Sequence, residues 1–269
     1  MKLEGKTAII TGGARGNGYA AAMCMAKEGA DIAIADICAD METIPYSMST
    51  EATMAAAVKS IEALGRKAIG IKCDVRKSGD VEKMVDTVLE TFGHIDILVN
   101  NAGNSSMVAI AEMDEDTWDE VIDTHLKGTY LCSRFVLPHM IAQHSGKVVN
   151  ISSVGGHYGF GMGGHYCAAK HGIIGLSKSV AMEVADHGIN VNVVCPGTVW
   201  TDMMKGIAEY FGMEGESGKE QFFSRYLIKE PEISEDDIGQ AVLFLVSEAA
   251  KCITGTTLTV DCGWTTQAP

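Results

Sequence analysis

Seven short apolar runs recur along the chain, at 6–11, 31–36, 67–72, 94–100, 147–151, 189–194 and 256–260, and stretches with helical spacing separate them. Strands joined through helices pair in parallel, and a parallel sheet is covered on both faces because its strands are apolar on both. The pattern predicts an α/β, doubly wound fold with a seven-stranded parallel sheet flanked by about six helices. Helices are read at 19–28, at 51–64 closed by Gly65, and at 78–92 with Ser78 as cap and Gly93 as stop. Further ones run from Met113 to about His144, from about Gly164 to Asp186, and from the Ser234 cap to Ser247.

The first run leads straight into Gly12-Gly13-Ala14-Arg15-Gly16-Asn17-Gly18 and an alanine-rich helix. Strand, glycine turn and helix in that order suit a dinucleotide, because glycines let the backbone approach a pyrophosphate whose charge meets the helix amino terminus. The spacing Gly-x-x-x-Gly-x-Gly differs from the commoner Gly-x-Gly-x-x-Gly, and the flanking strand and helix give it weight. The second run ends in Asp36, where a carboxylate accepts hydrogen bonds from an adenosine ribose and repels a 2′-phosphate, so NAD is expected over NADP. Arg15 either meets a phosphate, which pulls toward NADP, or is a solvated surface arginine. These features make the domain, read as one unit over 1–269, of the Rossmann type.

The stretch 150–172, NISSVGGHYGFGMGGHYCAAKHG, holds Ser153, Tyr166 and Lys170. Tyr166 and Lys170 are four apart, one helical turn on one face. A fixed cation beside a phenol lowers its pKa from about 10, which would make Tyr166 a proton carrier. Ser153 follows an apolar strand, so its hydroxyl is expected at a carboxyl end where ligands collect. A Tyr-x-x-x-Lys pair alone is common on helices; its meaning depends on the rest of the chain.

A formal charge of −14 argues against a nucleic-acid or anionic-membrane surface. No apolar stretch reaches the length of a membrane span, and MKLEGKTAIITGG lacks the long h-region of a signal peptide, so a cytoplasmic protein is expected. The eight cysteines are scattered without a close C-x-x-C pair, which predicts reduced thiols and no metal site; Cys167 reads as packing. Residues 37–50 form a long connection read as an insertion at the rim of the site. Residues 200–230, polar and glycine-punctuated, read as a mobile flap.

Taken together, TGGARGNG at 11–18, Cys73-Asp74-Val75, NNAG at 100–103, Ser153, the Tyr166/Lys170 pair and Pro196-Gly197 resemble the short-chain dehydrogenase/reductase family over essentially the whole chain. The resemblance implies that Gly12, Gly16 and Gly18, with Arg15 and Asn17 of the same turn, line the pyrophosphate. Asp36, followed by Ile37, would meet the adenosine ribose, and Asp74 and Val75 the adenine. Asn101, Ala102 and Gly103 would wall the cleft, with Asn100 at its edge, while Val199 and Thr201, after Pro196 and Gly197, would meet the carboxamide. Tyr166 would exchange a proton with the substrate oxygen, Ser153 would hold that oxygen, and Lys170 would bind the nicotinamide ribose. One position departs: where the family has an asparagine holding a relay water, this chain has His125. Its imidazole either holds that water, titrates in its place, or is a tolerated change.

The expected reaction interconverts a secondary alcohol and a ketone by hydride transfer, with Tyr166 as acid and base. His157, Tyr158, Phe160, Met162 and His165, with Trp200, Met203 and Met204, either line an apolar cleft or pack the flap. A cyclic or apolar substrate such as a steroid or terpenoid is the first expectation, and the 37–50 insertion resembles that of a subgroup acting on terpenoid alcohols. A sugar or polyol dehydrogenase, a 3-oxoacyl reductase and a catalytically silent NAD(H)-sensing relative are the alternatives. The resemblance also implies a homo-oligomer, tetramer or dimer, packed through two long helices.

Overall fold

In the computed structural model, which describes residues 1–213, 215–230 and 232–267, the apolar runs form one sheet. Glu214 within the expected flap, and residues 268–269 at the end of the expected 1–269 unit, lie outside the described residues. The strands are β1 (Thr7–Thr11), β2 (Asp31–Asp36), β3 (Ala68–Lys72), β4 (Ile97–Asn100), β5 (Gly146–Ile151), β6 (Ile189–Pro196) and β7 (Thr257–Val260). They lie in the order β3-β2-β1-β4-β5-β6-β7, every pair parallel. The expected seven-stranded parallel sheet is therefore present.

The helices are α1 (Gly16–Lys27), α2 (Glu51–Glu62), α3 (Ser78–Phe92), α4 (Glu115–Ile122), α5 (Gly128–Gln143), α6 (Gly164–Val184), α7 (Asp202–Tyr210), α8 (Gly215–Phe223) and α9 (Glu235–Val246). Alternate strand residues point into two cores. Ala8, Ile10, Ile32 and Ile34 pack with α1, α2 and α9, whereas Ile9, Ala33 and Ala35 pack with residues of α3, α5 and α6 on the other face. Ser234 caps α9 in a reciprocal box with Asp237, as its position predicts. Ser78 is instead the first residue of α3, and Lys77 holds the cap position without a side-chain bond.

Three departures have local causes. The long helix read from Met113 is interrupted between α4 and α5 by one wide π-turn, Asp123–Lys127. There the Thr124 hydroxyl donates to the Glu120 carbonyl and the Thr129 hydroxyl to that of His125, each at 2.7 Å, and such bulges aim side chains at sites. Strand β6 runs two residues past the expected 189–194, through Pro196: Pro196 pairs with Val260, and Gly197 N–H continues the ladder to the Val260 carbonyl at 2.8 Å. A proline at a strand's end forfeits only one donor. Finally, the flap region contains α7 and α8. Its glycines Gly212 (φ +63°) and Gly215 (φ +78°) sit at helix boundaries, where positive φ is needed.

Candidate active site

Strand order reverses between β1 and β4, and ligands of open α/β sheets collect outside such a crevice. Gly12, at the end of β1, takes φ +61°, and a Cβ there would lie 2.9 Å from Ala102 Cα. The Thr11 hydroxyl accepts the N–H groups of Asn101 and Ala102, each at 3.0 Å. Asn101 Nδ2 in turn donates to the carbonyls of Thr11 and Gly12, each at 3.0 Å. Glycine turn and β4 end are thus one stitched unit. Gly16, with φ +60°, lines the cleft, and a Cβ there would meet only the Thr201 methyl, at 3.9 Å. Gly18 does not line the cleft: a Cβ there would overlap the Gly12 carbonyl oxygen and the Asn101 amide. It lets α1 pack against the turn, which corrects its expected contact with pyrophosphate.

Beyond β5, Ser153 Oγ accepts the Gly155 N–H at 3.1 Å. On α6, Tyr166 and Lys170 lie one turn apart, and the Lys170 ammonium sits 5.4 Å from the Tyr166 ring centroid. Lys170 Nζ donates to the Ile151 carbonyl at 2.8 Å, and the Ser152 hydroxyl donates to the Lys170 carbonyl at 2.9 Å, so α6 is fastened to the end of β5 at both levels. Burial pushes the Tyr166 phenol up to about 12, with the Ser153 hydrogen bond pulling the other way. Burial also brings the Lys170 ammonium down to about 7. The phenol therefore moves opposite to the expectation. Exclusion of water disfavours both charged forms, and a lysine only partly charged near neutrality does less for the phenolate.

His125, placed inward by the π-turn, is 2% exposed. Its Nε2 is 2.7 Å from the Asn104 carbonyl oxygen and 3.2 Å from the Asn104 amide nitrogen, while Nδ1 has no hydrogen-bond partner among the described residues. Burial first, and the Lys170 charge second, hold its pKa well below the ordinary imidazole value. Burial thus favours the neutral ring, against the reading in which it titrates near neutrality. A neutral ring protonated on Nε2 donates to the carbonyl, the shorter contact.

A cavity of about 470 Å³ runs from Asp36 to Tyr166, within the range of small-molecule sites. Apart from Gly18 and from Asn100, which is buried and donates to Asn150 at 2.8 Å, each residue assigned above to catalysis or to the cofactor cleft lines it, with Asp36 and Asp74 at one end and Ser153, Tyr166 and Lys170 at the other. The Asp74 carboxylate is gripped bidentately by Arg76, 2.9 Å on each oxygen. Arg15 lines the cavity too, its guanidinium 3.5 Å from Asp202 at the start of α7 and 3.9 Å from the Met48 sulfur.

At the other end Phe160, Met203 and Met204 line the cavity. His157, Tyr158, Met162, His165 and Trp200 do not. The Tyr158 hydroxyl donates to the Thr265 carbonyl, His165 bonds Ser106 at 2.9 Å, and Trp200 packs on Phe222 and Phe223 at centroid distances of 6.0 and 6.3 Å.

The family model of the short chain dehydrogenase matches residues 6–210. The chain belongs to the short-chain dehydrogenase family. Among characterised relatives of this short-chain dehydrogenase is (−)-trans-carveol dehydrogenase of Rhodococcus erythropolis, 36% identical with 98% of this chain and 99% of that protein covered. A 3-oxoacyl-acyl-carrier-protein reductase of Staphylococcus epidermidis is 37% identical, with 96% and 98% covered. The crystal structure of carveol dehydrogenase from Mycobacterium avium in complex with NAD superposes with a TM-score of 0.94 at 33% identity, covering 99% of each chain.

Other parts of this short-chain dehydrogenase's cleft were not singled out from the sequence. Residues 37–50 bring in Met41, Tyr46, Met48 and Ser49, and the C-terminal segment brings in Trp264. Tyr46 accepts the Ser105 N–H at 2.9 Å and packs where a Cβ on Gly206 would lie 2.8 Å from its Cγ. A tyrosine and two methionines in an unusually long connection were the only signal for the first group; Trp264 had none. Among the described residues no helix is long and apolar enough to cross a membrane, and no group of three or more His, Cys, Asp or Glu is placed to hold a metal.

Proposed function

We propose that this chain is an NAD(H)-dependent oxidoreductase that interconverts a secondary alcohol and a ketone, with Tyr166 as acid and base. The observation that carries the reading is one cleft with the Ser153, Tyr166 and Lys170 cluster at one end and the buried Asp36 carboxylate at the other. Its residues fit a dinucleotide: positive-φ glycines at a helix amino terminus suit a pyrophosphate, and a carboxylate suits a ribose diol. When bound, NAD(H) supplies or accepts the hydride.

Tyr166, protonated at neutral pH, gives its phenolic proton to a ketone oxygen and recovers it in the reverse direction. Ser153 holds that oxygen. Lys170, aimed by the Ile151 carbonyl, holds the nicotinamide ribose, and His125 props the Tyr166 ring. Gly12 and Gly16, with Arg15 and Asn17, bracket the pyrophosphate; Asp36 and Ile37 take the adenosine ribose, and Asp74 and Val75 the adenine. Asn101, Ala102 and Gly103 form one wall, and Pro196, Gly197, Val199 and Thr201 the carboxamide side.

The substrate is a cyclic or apolar ketone or alcohol of the terpenoid or steroid kind. Phe160, Met203, Met204, Phe222 and Trp264 around the cavity support this, as does the likeness to two carveol dehydrogenases. The likeness to a 3-oxoacyl reductase favours a second reading, a β-keto thioester, against which stands the mutual repulsion of an acidic carrier and a chain of charge −14. The protein works as one domain in the cytoplasm and as a homo-oligomer, tetramer or dimer; exposed Trp118 on α4, Tyr130 on α5 and Met182 on α6 offer apolar surface for it.

The test is NADH oxidation over cyclic terpenoid ketones, steroid ketones, sugars and an acetoacetyl thioester. Turnover concentrated on the cyclic ketones is expected. Turnover on the thioester alone supports the second reading, and NADH binding without turnover on any member replaces both with a sensor.

A further inference from the structure

At the cofactor end of the cleft the Asp36 carboxylate, 6% exposed, accepts three hydrogen bonds from the protein. Ala14 N–H donates to Oδ2 at 3.2 Å, and Cys38 N–H to Oδ1 at 3.3 Å. The third donor is the hydroxyl of Ser49, also on Oδ1. Ser49 is 5% exposed, lines the same cleft, and stands at the far end of the 37–50 segment. A carboxylate offers about four lone-pair sites, so two donors saturate Oδ1 and one acceptor site remains on Oδ2. Ser49 has a single O–H, and it is spent on Asp36. Toward a ligand Ser49 then presents only lone pairs, so a side chain able to donate to phosphate has become an acceptor.

We propose that Ser49 is a specificity-determining residue for the cofactor: Asp36 Oδ2 and Ser49 Oγ are the paired acceptors for the vicinal diol of the adenosine ribose, and together they exclude a 2′-phosphate. The inference rests on the NAD reading above. A ribose diol brings two O–H donors to two acceptors. A 2′-phosphate replaces one donor by a group that only accepts, and sets negative oxygens against both. The 37–50 segment thereby supplies half of the cofactor discrimination that the family motif assigns to the acid alone.

The experiment is equilibrium binding of NADH and of NADPH, read by quenching of protein fluorescence, without turnover. It compares the wild type with Ser49→Ala and with Ser49→Gly as a second deletion of the same hydroxyl, circular dichroism confirming that each folds. Loss of the hydroxyl is expected to weaken NADH about five- to tenfold, the usual effect of one hydrogen bond, while NADPH binding is unchanged or tightens because one acceptor facing its 2′-phosphate is gone, so selectivity narrows. Equal shifts for both dinucleotides, or tighter NADH binding, overturn the role of Ser49; the second result would mean that Ser49 competes with the ribose. A wild type that binds NADPH as tightly as NADH, or binds neither, overturns the cofactor reading and this inference with it. A selective wild type with unchanged selectivity in both variants overturns the Ser49 inference alone.

Discussion

His125 stands edge-on to Tyr166, ring centroids 5.3 Å apart and planes at 86°, in a space that exists because residue 103 is glycine. A Cβ at 103 would overlap the imidazole, falling 3.0 Å from Nδ1. Gly103→Ala is therefore expected to displace the ring and cost about 1–3 kcal/mol of stability, the usual penalty of overpacking. Thermal unfolding measures it. Adding His125→Ala should recover part of the loss, and strictly additive losses would show that the two positions are uncoupled.

The same neutral ring makes His125→Asn a mild change. An amide can donate to the Asn104 carbonyl as the imidazole does, and one altered hydrogen bond is worth ~1 kcal/mol, so kcat is expected to stay within about tenfold of wild type. A folded, NADH-binding variant with almost no turnover would show that the two side chains do not do equivalent work.

Tyr166→Phe deletes only the hydroxyl. Turnover is expected to fall on the order of 10²–10⁴-fold, the range for losing a general acid, with NADH binding kept. Steady-state assay beside fluorescence titration separates the two quantities, and retained turnover would remove Tyr166 as acid and base.

Lys170 carries a pH dependence of stability. Its pKa is about 7 in the fold against 10.5 for the ordinary side chain. Between those values the unfolded chain holds a proton that the folded chain lacks, so stability from this group rises with pH, at most about 1.4 kcal/mol per unit, and its penalty is complete below about pH 7. Lys170→Met abolishes the dependence. Wild-type stability relative to that variant should climb from pH 7 to 9.5 in urea unfolding, and a flat difference would mean that the buried ammonium keeps its charge. Tyr166 has the opposite sign in a higher window: its pKa is raised to about 12, so its contribution is present below pH 10 and is lost as pH rises toward 12.

Local periodicity and chain connectivity carry the legible part of this molecule. Apolar runs spaced by helices require a parallel sheet, and a residue just past a strand, such as Ser153 or Asn101, must then lie at the carboxyl edge where the glycine turn also lies. Tyr166 and Lys170 share a face because a helix has a fixed turn. Packing between distant segments set the remainder. Trp264 rather than Trp200 borders the cleft, Gly18 serves helix packing, Ser49 reaches back to Asp36, and a π-turn aims His125 at Tyr166. Even the direction of the Tyr166 pKa belongs there. Each depends on contacts between segments distant in the chain, or on how completely those segments exclude water, and neither quantity is written in the spacing of neighbouring residues.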